Sequence, residues 1–276
     1  MSELWNDLLT CLDLKPQPST GRTDADEHAP TLVFEGENLH LSYHRLFGGQ
    51  LLGQFVRAAE LTCPSKSIKS LHSLFAREGR ADESVRYEVT RQHEGRSFAT
   101  LSVVARQSSG VIATALISMH APENGEARQS DVAIPPALGK EFATVVDLIP
   151  WEIRTAVDLN STETGPAEFE MWMRTPPVSD SLAPALTTYA TDLTLIGTAL
   201  RPVDGLSQLG NGTTFTSAVT SHNLWFHRPF TTDSWLLLRQ HSPLSVHGRC
   251  FGRGDIFTED GNLVASYAQE ALLRLP

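Results

Sequence analysis

Residues Leu182–Leu200 read LAPALTTYATDLTLIGTAL, and their apolar positions, Leu182, Leu186, Tyr189, Leu193, Ile196 and Leu200, recur at helical spacing. This spacing predicts one helix with a single buried face. Asp192 falls on the shoulder of that face. A carboxylate there gives up hydration, which partners or a function must replace. Capping a local backbone turn is the other use for an aspartate so placed.

Working outward, the helix has a counterpart. Phe47-Gly48-Gly49-Gln50-Leu51 opens a second one, running to about Leu61, with Leu51, Leu52, Phe55, Val56 and Ala59 apolar. Strand patterns follow each helix. The first is followed by Ile68–Arg77, Ser84–Gln92, Ser97–Gln107 and Val111–His120; the second by Thr214–Phe226, Ser234–His241, Gly248–Thr258 and Leu263–Leu273. Ser108-Ser109-Gly110 and Glu259-Asp260-Gly261-Asn262 have the composition of hairpin turns. Short strands are expected at Leu32–Phe34 and Leu39–Leu41, and another near Ala167–Arg174. At the N-terminus, Ser2 is placed to cap a helix carrying Leu4, Trp5, Leu8, Leu9 and Leu12, stopped by Pro16, with a polar loop over 17–30. Pro122–Lys140 has linker composition.

The two halves are copies of one unit. Gly95-Arg96-Ser97-Phe98 returns as Gly248-Arg249-Cys250-Phe251, 153 residues on, and Ile112-Ala113-Thr114 as Val264-Ala265-Ser266, 152 residues on. Phe47–Leu51 returns as Tyr189–Leu193 after 142, extra loop around Arg201–Thr213 absorbing the difference. The expected fold is α+β: two tandem units, each a long helix against an antiparallel meander, paired edge to edge as a pseudo-dimer. The expected divisions are 1–30 for the N-terminal helix and loop, 31–121 for the first unit, 122–150 for a linker and 151–276 for the second unit. In this repeat Gln50 takes the place of Asp192. An amide cannot titrate where a carboxylate can, so one working centre is expected, lying between the halves.

Composition narrows the function. With 22 basic against 32 acidic side chains the 276-residue chain carries a formal charge of −10, unsuited to holding a nucleic-acid backbone. The three scattered cysteines, Cys11, Cys63 and Cys250, make neither a disulfide framework nor a zinc motif. The acidic N-terminus lacks a signal-peptide core and no apolar run is long enough for a membrane span, leaving the cytoplasm as the expected location. GxSxG, P-loop, HExxH and strand-linked GxGxxG patterns are absent. Arg253-Gly254-Asp255 is read as a chance tripeptide.

Two segments offer polar side chains in apolar settings. Gln269 shares a strand face with Ala265, Tyr267 and Ala271, where its amide can hold a water or a carbonyl oxygen, or merely satisfy a backbone group. Thr214–Phe230, TFTSAVTSHNLWFHRPF, is rich in hydroxyls. Its His222 and His227 lack a third ligand at useful spacing, so no metal is expected. Trp225 and Phe226 are expected in the core, and Arg228 in a salt bridge or at a phosphate.

Phe47-Gly48-Gly49-Gln50, His72-Ser73-Leu74-Phe75, Tyr189-Ala190-Thr191-Asp192-Leu193, His222–Phe230 and Val264–Glu270, taken in this order, resemble the acyl-CoA thioesterase II family. The resemblance runs from about Leu32 to Arg274. It implies a double hot-dog fold and cofactor-free hydrolysis of acyl-CoA thioesters. In that family an aspartate, a threonine or serine, and a glutamine hold the attacking water. Asp192 and Gln269 match the first and last. The hydroxyl's place, three residues before the histidine opening the HxxWFH run, holds Val219. Adjacent Thr220 would face the other side of a regular strand, whereas Ser217 and Ser221 share Val219's parity. Gly48 and Gly49 amides are expected to stabilise the oxyanion, with Gln50, His72, Val219 and Thr220 also at the substrate. The acyl chain would lie along the helix–sheet seam with the CoA head outside. Edge strands suggest a homo-oligomer. The alternative is a degenerate hot-dog protein that binds acyl-CoA or an acyl carrier without cleaving it, which Val219 favours. A hydratase would want an Asp/His dyad on one helical segment, and no histidine lies near Asp192.

Overall fold

The computed structural model describes residues 3–18, 31–41 and 45–275, and the chain clusters into two compact units, Met1–Gly125 and Glu126–Pro276. The expected cap at Ser2 and the loop over 19–30 lie outside the described residues.

In the first unit, helix α1 (Glu3–Cys11) buries Trp5, Leu8 and Cys11. It ends at Cys11, and Pro16 instead sits in a short strand, β1 (Lys15–Gln17), at the sheet edge where a residue without an N–H is tolerated. Then come β2 (Leu32–Gly36), α2 (Gly48–Thr62), β3 (Ser67–Phe75), β4 (Val85–Glu94), β5 (Phe98–Gln107) and β6 (Gly110–His120). These strands run antiparallel in the order β1-β2-β4-β5-β6-β3. Helix α2 packs over β2 to β6; Leu51, Leu52, Phe55, Val56 and Ala59 are buried, as are the alternate strand residues Val85, Tyr87, Val89, Leu101, Val103 and Ala105, and Phe55 meets Tyr87 edge-on at 5.6 Å between centroids. No strand forms over Leu39–Leu41: the Leu39 N–H donates to Gln50 Oε1 at 3.0 Å and so leaves the ladder.

The second unit contains β7 (Ala143–Thr144), β8 (Glu152–Arg154), β9 (Glu168–Arg174), α3 (Ala183–Thr191), α4 (Leu195–Leu200), β10 (Thr216–Phe226), β11 (Leu236–Val246), β12 (Arg249–Thr258) and β13 (Leu263–Arg274). Its strands lie in the order β10-β13-β12-β11-β9-β8-β7. Residues 126–139 are more than a linker. Ile134, Ala137 and Leu138 pack on Trp172, Trp235, Leu237 and Phe257, and Gln129 is hydrogen-bonded to the Gly261 carbonyl and the Leu263 N–H.

Both units share one topology, in which β2, β4, β5, β6 and β3 correspond to β9, β11, β12, β13 and β10. The central helices differ. The single helix expected over Leu182–Leu200 is broken: α3 stops at Thr191, Asp192 is its C-cap, and α4 starts at Leu195 after Thr194. The cause is local. Thr191 Oγ1 lies 2.8 Å from the Thr188 carbonyl oxygen and Thr198 Oγ1 donates to the Thr194 carbonyl, so short polar side chains compete for backbone groups at the break. Helical periodicity continues through the break, which is why the sequence pattern hides it. The central helix of this unit, α4, is therefore six residues long, not a long helix.

Candidate active site

The break in the helix delivers Asp192. Thr188 Oγ1 donates to the Pro184 carbonyl and Tyr189 Oη to the Leu148 carbonyl at 2.5 Å, fixing the end of α3. Asp192 is 6% exposed and Thr191 wholly buried, so a carboxylate and a hydroxyl are set side by side in the interior of the second unit.

Strand β10 meets this helix end. It carries a β-bulge: Val219 pairs with Ala271, but Ser221 pairs with Glu270, so Thr220 is the extra residue. A bulge moves the inward parity by one. Before it Ser217 is buried and Val219 half-buried; after it the buried residues are His222 and Leu224. The expectation that Ser221 shares Val219's face is therefore overturned, and His222 is on that face instead. Thr220 Oγ1 is spent on the Glu270 carbonyl at 2.9 Å.

His222 stands directly opposite Gln269 on β13. His222 Nδ1 lies 2.7 Å from Gln269 Oε1 and Nε2 lies 3.0 Å from Thr191 Oγ1. Tyr267 stacks on the ring at 6.0 Å between centroids, and its hydroxyl donates to Gln240 Oε1 at 2.6 Å. Gln240 in turn reaches Thr194 and Thr198 of the helix break. Burial pushes the imidazole down to about 4, the bond to Gln269 acting weakly the other way, so the ring is neutral at neutral pH. Asp192 and Gln269 are thus joined through one peptide step and two hydrogen bonds, by way of Thr191 and His222. Gln269 is 2% exposed, and its Nε2 has no hydrogen-bond partner among the described residues.

His222 is the site residue that sequence reasoning weighed only as a metal ligand. By the bulges, which fall between Ile68 and Ser70 in β3 and between Val219 and Ser221 in β10, His222 corresponds to Leu71 of the first unit. Leu71 pairs with Ile117 where His222 pairs with Gln269. The first unit therefore has two hydrocarbons where the second has an imidazole and an amide.

The remaining expected residues lie in the first unit. Gly48 and Gly49 open α2 behind Phe47, as a glycine pair before a buried helix suggests. Gln50 is 1% exposed, and its Nε2 donates to Asn38 Oδ1 at 2.8 Å and Gln54 Oε1 at 3.3 Å. His72 is exposed, with Nε2 3.2 Å from Ser70 Oγ. In the second unit Trp225 is 38% exposed, not core, because the bulge turns odd positions outward, and half-buried Phe226 stacks on Phe230 at 6.3 Å. Among the described residues Arg228 forms no salt bridge; its guanidinium donates to Asn262 Oδ1 at 2.8 Å and Gln129 Oε1 at 3.3 Å. Among the described residues no helix is long and apolar enough to cross a membrane.

Comparison with known proteins agrees with this architecture. A family model described as acyl-CoA thioesterase N-terminal domain matches residues 40–120, and one described as acyl-CoA thioesterase C-terminal domain matches residues 121–273. The chain is 31% identical to acyl-CoA thioesterase 2 of Haemophilus influenzae over 99% of both chains. The structure of an acyl-CoA thioesterase II, TesB2, from Mycobacterium marinum superimposes with a TM-score of 0.75 at 31% identity, over 98% of this chain and 97% of that one. A hot-dog protein from Alicyclobacillus acidocaldarius gives a TM-score of 0.73 at 16% identity, over 98% of each, which is a likeness of fold.

Proposed function

The chain belongs to the acyl-CoA thioesterase II family, with a double hot-dog fold, and we propose that it hydrolyses acyl-CoA through a water held by Asp192 and Gln269. The observation that carries this reading is the hydrogen-bonded link from the Asp192–Thr191 step through His222 to Gln269, all buried in one unit.

The chemistry follows from the side chains. Water is a poor nucleophile until a base takes its proton, and a carboxylate with little hydration is suited to that. As the water oxygen adds to the thioester carbonyl carbon, Asp192 accepts the proton. The carbon–sulfur bond then breaks, the sulfur leaves with that proton as the free thiol of CoA, and the acyl group leaves as the acid. The Gln269 amide, which does not titrate, fixes the water or the developing oxyanion. Thr220 and Val219 flank the approach on β10, with Val219 on the inward face.

Release of free thiol from acyl-CoA, followed across several chain lengths, tests this. Asp192→Asn is expected to abolish release while leaving binding of acyl-CoA measurable by titration. Undiminished turnover would remove Asp192 from the mechanism. Binding by the unmodified protein without release would instead support the non-cleaving alternative that Val219 favours.

A further inference from the structure

A glutamine side chain is ambiguous: one end accepts hydrogen bonds and the other donates them, and only its neighbours decide which end faces the chemistry. We propose that His222 is a positioning residue which, neutral and protonated at Nδ1, holds Gln269 Oε1 and so commits the amide to presenting its NH2 group to the water or to the thioester oxygen. This rests on the thioesterase reading above and deepens it.

Three observations carry the inference. First, the 2.7 Å contact joins Nδ1 to an oxygen that can only accept, so Nδ1 is the donor. Second, a neutral ring then has an accepting Nε2, and the Thr191 hydroxyl 3.0 Å away fills it by turning its single proton from the Thr188 carbonyl to the ring. Burial, which keeps the ring uncharged, allows one ring proton and no more. With that proton on Nε2, two acceptors would face each other and the amide would turn over. Third, Gln269 Nε2 is buried and has no hydrogen-bond partner among the described residues, so the end left over is a donor. In the first unit the same register holds Leu71 and Ile117, so the pair is not demanded by the fold.

Paired substitutions separate positioning from packing. In His222→Asn the new side-chain N–H falls near the place of Nδ1 and can still donate to Gln269. In His222→Gln it falls near the place of Nε2 and cannot. The expected kcat for thiol release is within about fivefold of the unmodified protein for His222→Asn and lower by roughly 100-fold for His222→Gln, with KM steady in both. Equal kcat values for the two, or losses confined to KM or to the melting temperature, would overturn the proposal. Thr191→Val, near-isosteric and expected to fold, removes the proton offered to Nε2; it should lower kcat about tenfold at constant KM, and an unchanged kcat would also overturn the proposal. Asp192→Asn is run alongside. If it is inactive while the two His222 variants behave alike, only the role of His222 fails. If it is active, the water-holding reading fails and this proposal with it.

Discussion

His222 faces Gln269 across the β10–β13 ladder with Nδ1 2.7 Å from Oε1, at the register position where the first unit pairs Leu71 with Ile117. The two units share one strand topology, and at this cross-strand pair one of them is hydrocarbon and the other polar. The Gln50–Asp192 difference noted in the sequence belongs to the same contrast. Asp192 stands ahead of its central helix, at the break, whereas Gln50 is held within α2 by Asn38, Gln54 and the Leu39 N–H.

A buried neutral imidazole makes stability depend on pH. Unfolded, the His222 ring takes its proton near 6.5; folded, it resists until about 4. Between these values the unfolded chain binds more protons, so this group's contribution rises as pH increases through the window and is fully present above 6.5. The difference corresponds to on the order of 3 kcal/mol. Urea unfolding at pH 4.5 and 7.5 should show the unmodified protein losing about 2–3 kcal/mol more on acidification than His222→Leu does. Parallel losses in the two proteins would mean that the ring is not held neutral.

Gly254, read from sequence as part of a chance tripeptide, has a packing role. A Cβ built there would lie 2.6 Å from both Cζ and Oη of Tyr267 and 2.8 Å from the Arg239 carbonyl oxygen. The backbone oxygen cannot yield, and the tyrosine is pinned by its bond to Gln240 and its stack on His222. Gly254→Ala is therefore expected to cost about 1–3 kcal/mol in chemical denaturation and to lower kcat by disturbing the ring that Tyr267 supports. Wild-type stability together with wild-type turnover would show that Tyr267 can move without consequence.

The repeat, most of the strands and the hairpins were legible because each rests on a local pattern: alternation along Val85–Val89 and Leu101–Ala105, a Gly110 at φ +109 and a Gly261 at φ +82 in tight turns. The burial of Asp192 and Gln269 was legible from their apolar neighbours. Two features were not. The helix break at Asp192–Thr194 keeps the apolar period, so periodicity passes over it. The bulge at Thr220 leaves no mark in composition, yet it alone decides that His222, not Ser221, joins Val219 on the inward face. Local side-chain competition for backbone groups set the first and cross-strand pairing the second, where a one-residue change of parity exchanges every side chain beyond it.

Val219 gives the last prediction. It is half-buried, pairs with Ala271, and lies on the same sheet face as His222 and Gln269. Thr220 Oγ1 is committed to the Glu270 carbonyl, and Thr191 Oγ1 sits between the Thr188 carbonyl and the His222 ring with one proton for the two. On the proposed mechanism the water thus has a carboxylate and an amide but no hydroxyl from β10. Val219→Thr replaces a methyl by a hydroxyl in nearly the same volume, and partial exposure keeps the cost in stability to about 1 kcal/mol. A third partner narrows the orientations of the water, and kcat is expected to rise about tenfold with KM little changed. Steady-state thiol release by the variant and the unmodified protein measures this. A kcat that stays level or falls would show that β10 takes no part in holding the water, and that the two remaining groups orient it unaided.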